Sequence, residues 1–201
     1  LTGQGSLPTI FNMQNYFKIN SQQSTEGRWE MLVDYHQMTP PTAVIWNRPP
    51  TPDEIPYLED TMSIQTSAVA DIAQNLKSRL GNMNRLQAAA MITQEIQKLL
   101  VYKSDTETMP DTKDILKSGN GICFHFSILF SSIARALGIP TRSVSGLLIR
   151  EDGMGAHAWN EIKIDDKTWW PIDPQTTDGR LFQRGYIPAV DFSKTSANFF
   201  S

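Results

Sequence analysis

Gly119-Asn120-Gly121-Ile122-Cys123 runs a flexible turn directly into the strongest helical pattern of the chain, and Cys123 is its only cysteine. A thiol in the first turn of a helix faces the positive end of the macrodipole and several unpaired backbone N–H groups, an environment that favours the thiolate. Free cysteines are more often small buried hydrophobes than nucleophiles, but the neighbours here argue for chemistry. Glycine on both sides of Asn120 serves no purpose for a core residue. It lets the backbone turn sharply and lets a substrate come close to the helix start.

Downstream lie His157, in Gly155-Ala156-His157-Ala158-Trp159, and Asp173, in Trp170-Pro171-Ile172-Asp173-Pro174. Thiol, imidazole and carboxylate are the three parts of a thiol acyl-transfer site: the imidazole takes the thiol proton and the carboxylate orients the imidazole. Asp173 precedes a proline, so its backbone is held extended, as a strand end requires.

These blocks resemble the transglutaminase-like superfamily. The likeness is carried by Leu116 to Cys123, by Leu129 to Gly146, by His157-Ala158-Trp159-Asn160-Glu161-Ile162 and by Trp169 to Pro174, over about residues 85 to 175. It implies an α+β, papain-like fold in which a nucleophile-bearing helix packs on an antiparallel sheet, with Cys123 as nucleophile, His157 as base and Asp173 as orienting acid. Two departures stand out. Phe124-His125-Phe126 follows the cysteine where smaller or more polar residues are common, and Asn160 stands where an apolar residue is usual.

The periodicity agrees with that layout. Val69, Ile72, Ala73, Leu76 and Leu80 give one helical face within a helix over 59–80 that Gly81 ends. A second helix starts near Asn84, with Leu86, Ala89, Ala90, Thr93, Ile96, Leu99 and Leu100 on its inner side. A short turn follows over 112–116, and the nucleophile helix runs from Ile122 to about Leu137, closed by Gly138 and Pro140. Beyond it the pattern turns β-rich, with strands over 143–150, 157–164 and 168–172 and turns at Asp152-Gly153 and Asp165-Asp166, which makes an antiparallel meander. Helices first and sheet afterwards is an α+β order. On this reading His157 opens its strand and Asp173 closes the next one.

Residues 1–57 form a Pro-rich and polar extension, with strands expected over 29–35 and 42–46, and residues 58–201 form the core domain. His125 lies two residues, about 200° of helix, from Cys123, so it points elsewhere and is expected to pack the helix. His36 is expected at the surface. Asn120 and Tyr102 are candidate oxyanion donors, Glu161 is placed at the edge of the site, and Trp169 and Trp170 fall on opposite sheet faces. Asp165, Asp166 and Asp178 read as loop carboxylates.

A net charge of −3 and the absence of any Lys/Arg run exclude the electrostatic footprint of a nucleic-acid binder. One cysteine and three scattered histidines provide no zinc spacing and imply no metal or other cofactor. The apolar stretch 122–139 is broken by His125 and Arg135 and reads as a buried helix, not a span. The first residue is Leu1, which points to removal of an upstream segment and an extracytoplasmic enzyme. The expected activity is acyl transfer from peptide or protein amides through a cysteine thioester, with hydrolysis favoured. The alternatives are a transamidating enzyme and a binding module that keeps the fold. Oligomeric state is not readable.

Overall fold

Asn84 accepts a hydrogen bond from the Gln87 N–H through its side chain, and the Gln87 side-chain oxygen accepts one from the Asn84 N–H, both at 2.9 Å. This capping box starts the longest helix among the described residues. The computed structural model describes residues 2–4, 17–25, 28–35, 42–104, 110–150, 153–176 and 186–191. Among them, β1 (Thr2–Gln4), β2 (Phe17–Thr25) and β3 (Arg28–Tyr35) form an antiparallel sheet in the order β1-β3-β2. Helices α1 (Ala70–Leu80) and α2 (Arg85–Leu99) follow, then β4 (Val101–Tyr102), α3 (Thr112–Ser118), β5 (Asn120–Gly121) and α4 (Cys123–Ala136). The chain continues through β6 (Thr141–Arg150), β7 (Gly153–Lys163), β8 (Trp169–Ile172) and β9 (Tyr186–Asp191), a four-stranded antiparallel sheet in the order β8-β7-β6-β9. The fold is α+β, with α4 packed on β6 and β7.

Helix α4 is central. Residues from His125 to Arg135 are all buried, which agrees with its apolar run and with the absence of a polar face. It docks on the sheet through a polar seam as well as apolar contact. Asn160 Nδ2 on β7 donates to the Ser127 carbonyl at 3.0 Å and to Ser131 Oγ at 2.8 Å, and Ser131 Oγ lies 2.7 Å from Ser143 Oγ on β6. Asn160 departs from the family pattern because the helix presents serines to it. The bonds fix the register of helix on sheet, which apolar contact alone leaves soft.

Several expectations are corrected. Residues 59–65 are not helical: a 3₁₀ turn at Thr66–Val69 precedes α1. Asp60 accepts the Thr66 N–H and Thr61 Oγ1 accepts the Ile64 N–H, so short polar side chains take the backbone donors that a helix needs. The stretch 42–46 makes a single bridge, Ile45 to Asn84, and no strand. Its Val44 still gives its N–H to Ile164 and accepts from Arg85. On α2 and at its C-cap, Ala89, Thr93, Ile96 and Leu100 are buried as expected, and the stripe widens to take in Arg85, Ala88 and Ile92.

The buried Arg85 is matched electrostatically. Arg85 and Glu54 are both fully buried, with Arg85 Nη1 at 2.8 Å from Glu54 Oε1 and 2.8 Å from the Lys163 carbonyl. Arg48 Nη2 adds a second cation at 2.7 Å from Glu54. Burial resists the charge on Glu54, but the Arg85 bonds outweigh it and hold the carboxyl below its ordinary value. The cluster clamps the segment before α1 to the start of α2 and the end of β7. Ala43 and Trp46 join the same hydrophobic core as α1, α2 and α4.

Arg85→Ala should therefore destabilise the chain by about 3 kcal/mol in chemical denaturation, because Glu54 stays buried with only Arg48 to balance it. A loss below about 1 kcal/mol would show that the pair is dispensable.

Candidate active site

Helix α3 ends at Gly119, in the left-handed region at φ 64. The chain then pairs Asn120 and Gly121 in parallel with Val101 and Tyr102 before entering α4 at the extended residue Ile122. Cys123 is the first residue of the helix and is half-buried. Its N–H cannot bond within the helix and has no hydrogen-bond partner among the described residues.

His125 explains Gly121. The imidazole folds back so that Nδ1 accepts the Ile122 N–H at 3.2 Å, the half of a capping box that the third helical residue supplies. A Cβ at position 121 would lie 2.3 Å from His125 Cγ. That glycine is required by a packed ring, a reason that the sequence reading did not include. His125 is 1% exposed, and burial lowers its pKa, in keeping with an acceptor nitrogen that must stay unprotonated.

His157 lies within β7, not at its start: the strand begins four residues earlier, and His157 pairs with Gly146 of β6. Asp173 follows β8 directly. His157 Nε2 is 2.8 Å from Asp173 Oδ2, with both groups buried. Cys123 lies close enough to the His157 ring to raise its proton affinity alongside Asp173. Burial opposes charge on the ring, yet the hydrogen bonds from Asp173 and Cys123 and their negative charge prevail and raise the His157 pKa from 6.5 to about 9. The structure thus brings the three expected site residues into one cluster.

Tyr186 was not singled out by sequence. Its hydroxyl donates to Asp173 Oδ2 at 2.7 Å, while the Gln175 N–H donates to Oδ1 at 3.0 Å. Tyr186 packs 5.7 Å from the His157 ring and meets Trp159 edge-on at 5.3 Å, and Trp159 lies nearly parallel to His157. A tyrosine two residues before a proline, in a short stretch of uncertain pattern, carries no local signal for this contact.

Of the remaining candidates, Asn120 Nδ2 donates to the Ser118 carbonyl at 2.9 Å, and Tyr102, 54% exposed on β4, pairs with Gly121 just before the helix tip. Glu161 is buried against Arg142 rather than at the site edge. Trp170 joins the core, while Trp169 packs against Tyr57 and under Arg142, so the two do face opposite ways. Asp165 holds the Lys167 and Thr168 N–H groups in a turn, and Asp166 pairs with Arg48. His36 and Asp178 lie outside the described residues. Among the described residues no three His, Cys, Asp or Glu side chains are grouped to hold a metal, and no helix is long and apolar enough to cross a membrane.

Comparison with known proteins bears on the family and the fold. Residues 71–174 match the model of the transglutaminase-like superfamily. A protein of Cytophaga hutchinsonii, named a candidate cysteine protease, superposes with a TM-score of 0.67 at 19% identity, covering 98% of this chain and 81% of that one. The periplasmic domain of TgpA from Pseudomonas aeruginosa superposes with a TM-score of 0.56 at 17% identity, over 86% of this chain and 67% of that one. The same domain bound to ethylmercury superposes with a TM-score of 0.54. At these identities the likeness is one of fold. No curated protein matches the sequence.

The raised His157 pKa has a consequence for stability. A group that holds its proton more tightly when folded contributes fully below its unfolded value of 6.5 and loses that contribution as pH rises through about 9. The stability advantage of the parent over His157→Gln should fall by up to about 3 kcal/mol between those limits. Denaturation midpoints across pH check this, and a pH-independent difference would refute the proton's attachment to the cluster.

Proposed function

We propose that this chain, which belongs to the transglutaminase-like superfamily, is a thiol-dependent enzyme that cleaves peptide or protein amides through a thioester on Cys123. The observation that carries the reading is the buried His157–Asp173 bond, 2.8 Å long, with Cys123 as the other partner of the same ring.

The proton moves first. His157 Nδ1 takes the Cys123 proton, giving a thiolate beside an imidazolium that Asp173 balances from behind. The sulfur attacks the amide carbonyl carbon, and the carbonyl π electrons move onto oxygen. The unpartnered Cys123 N–H at the helix tip is the backbone donor for that oxyanion. As the carbon–nitrogen bond breaks, His157 passes its proton to the departing amine, leaving a thioester and a neutral imidazole. Water then gives a proton to His157 and its oxygen to the acyl carbon. Collapse returns the carboxylic product and the thiol. An amine in place of water makes the same route a transamidation.

Asp173 orients rather than accepts. A neutral ring must present an unprotonated Nδ1 to the thiol and its N–H from Nε2, and a carboxylate at Nε2 selects that tautomer. Location outside the cytoplasm is part of the proposal and is supported by the likeness to a periplasmic domain.

Incubation with a peptide library followed by intact-protein mass spectrometry should show an acyl adduct on Cys123 and its release by water. Cys123→Ala should abolish the adduct, and His157→Ala should slow its formation by about a thousandfold or more. Adduct release only to added amines would make the enzyme a transamidase. Ordinary thiol reactivity of Cys123 together with no adduct on any peptide would leave a binding module.

A further inference from the structure

Asp173 Oδ2 accepts two hydrogen bonds, from His157 Nε2 at 2.8 Å and from the Tyr186 hydroxyl at 2.7 Å. We propose that Tyr186 is a positioning residue: by sharing that oxygen with His157, its hydroxyl sets how readily the imidazole gives up its proton. The proposal rests on the reading of His157 as the proton carrier.

The chain is shaped to bring this hydroxyl in. Tyr186 stands on β9, opposite Leu148 of β6, and is 5% exposed, so water does not replace its partner. At Gly146, where β6 meets both His157 of β7 and Pro188 of β9, a Cβ would lie 1.9 Å from the Ile187 carbonyl oxygen and 2.9 Å from Trp159 Cη2. Only glycine lets β9 and the Trp159 ring come this close. The β6–β9 register slips at this same point, between Ser145 and Gly146.

The chemistry follows from the shared oxygen. Gln175 already holds Oδ1, so the carboxylate plane is pinned without the tyrosine, and what the hydroxyl adds is a second claim on the charge facing His157. A donor on the same oxygen stabilises the carboxylate and weakens its hold on the imidazolium. An imidazolium held less tightly is the better acid toward a leaving amine. Among the described residues, the titratable groups facing the ring are Cys123 from α4, Asp173 beyond β8 and Tyr186 from β9. Strand β6 presents Gly146 there, and Trp159 of β7 is uncharged.

The test uses the full chain with ¹⁵N-labelled histidine. With three imidazoles in the sequence, the His157 titration is resolved by elimination. Tyr186→Phe keeps the ring and removes only the donor. It should raise the His157 midpoint by about half a pH unit or more. It should also lower kcat about tenfold with little change in KM. In an Asp173→Asn background the same substitution should not move the midpoint, because the effect runs through the carboxylate. Should Tyr186→Phe fail to fold, 3-fluorotyrosine at 186, a stronger donor of nearly the same shape, should lower the midpoint instead. An unchanged midpoint, a shift of the opposite sign, or an equal shift without the carboxylate overturns the proposal. Midpoints that move as expected in a protein that forms no thioester would uphold the coupling and sink the amide chemistry.

Discussion

One buried carboxylate organises the site. Asp173 carries a negative charge into a region where solvation is poor, and such a charge survives only when hydrogen-bond donors surround it. Here they are an imidazole, a phenol and a backbone amide, from β7, from β9 and from the turn after β8. The same charge favours the imidazolium form of His157 against the cost of burial. Without Asp173, the ring would lose both its orientation and the reason for its charge. Cys123 would then face an imidazole with a weaker hold on its proton.

The scaffold's task is to hold a helix tip against a sheet, and it uses polar as well as apolar contacts to do so. The Asn160, Ser127, Ser131 and Ser143 seam fixes α4 along β6 and β7. Arg85 and Glu54 anchor the start of α2 to the segment before α1, and Arg85 also reaches the end of β7. Such groups lower stability when their partners are removed, yet each bond has one permitted geometry where methyl groups would tolerate sliding. A site that relies on hydrogen bonds of 2.8 Å tolerates little sliding.

The helix tip is built by the same economy of space. His125, an unusual residue after the nucleophile, turns its ring back to satisfy Ile122 and so excludes every side chain at position 121. Glycine at 121 therefore looks like a substrate-access residue in sequence and gains a packing reason in the fold. Glycine at 146 is similar: nothing around it in the chain marks it, and its reason is an Ile187 carbonyl on another strand.

The sequence by itself determined what depends on local periodicity and on motif spacing. Helix α4 was legible from its largely apolar run and its Gly138–Pro140 end. The start of α2 near Asn84 and the β-rich order of the last third were legible as well, and motif spacing singled out Cys123, His157 and Asp173 as candidates. It misplaced the stretches 59–65 and 42–46, where side chains such as Asp60 and Thr61 compete for backbone donors in ways that periodicity does not register. The tertiary structure alone decided the burial of Arg85 on α2, the packing around Gly121 and Gly146, and the arrival of Tyr186 at Asp173. Each of these is an interaction between a residue and something that the chain delivers from elsewhere, such as Glu54 to Arg85 or β9 to the carboxylate. Burial and charge act through space, and a linear pattern records only what lies next to what along the backbone.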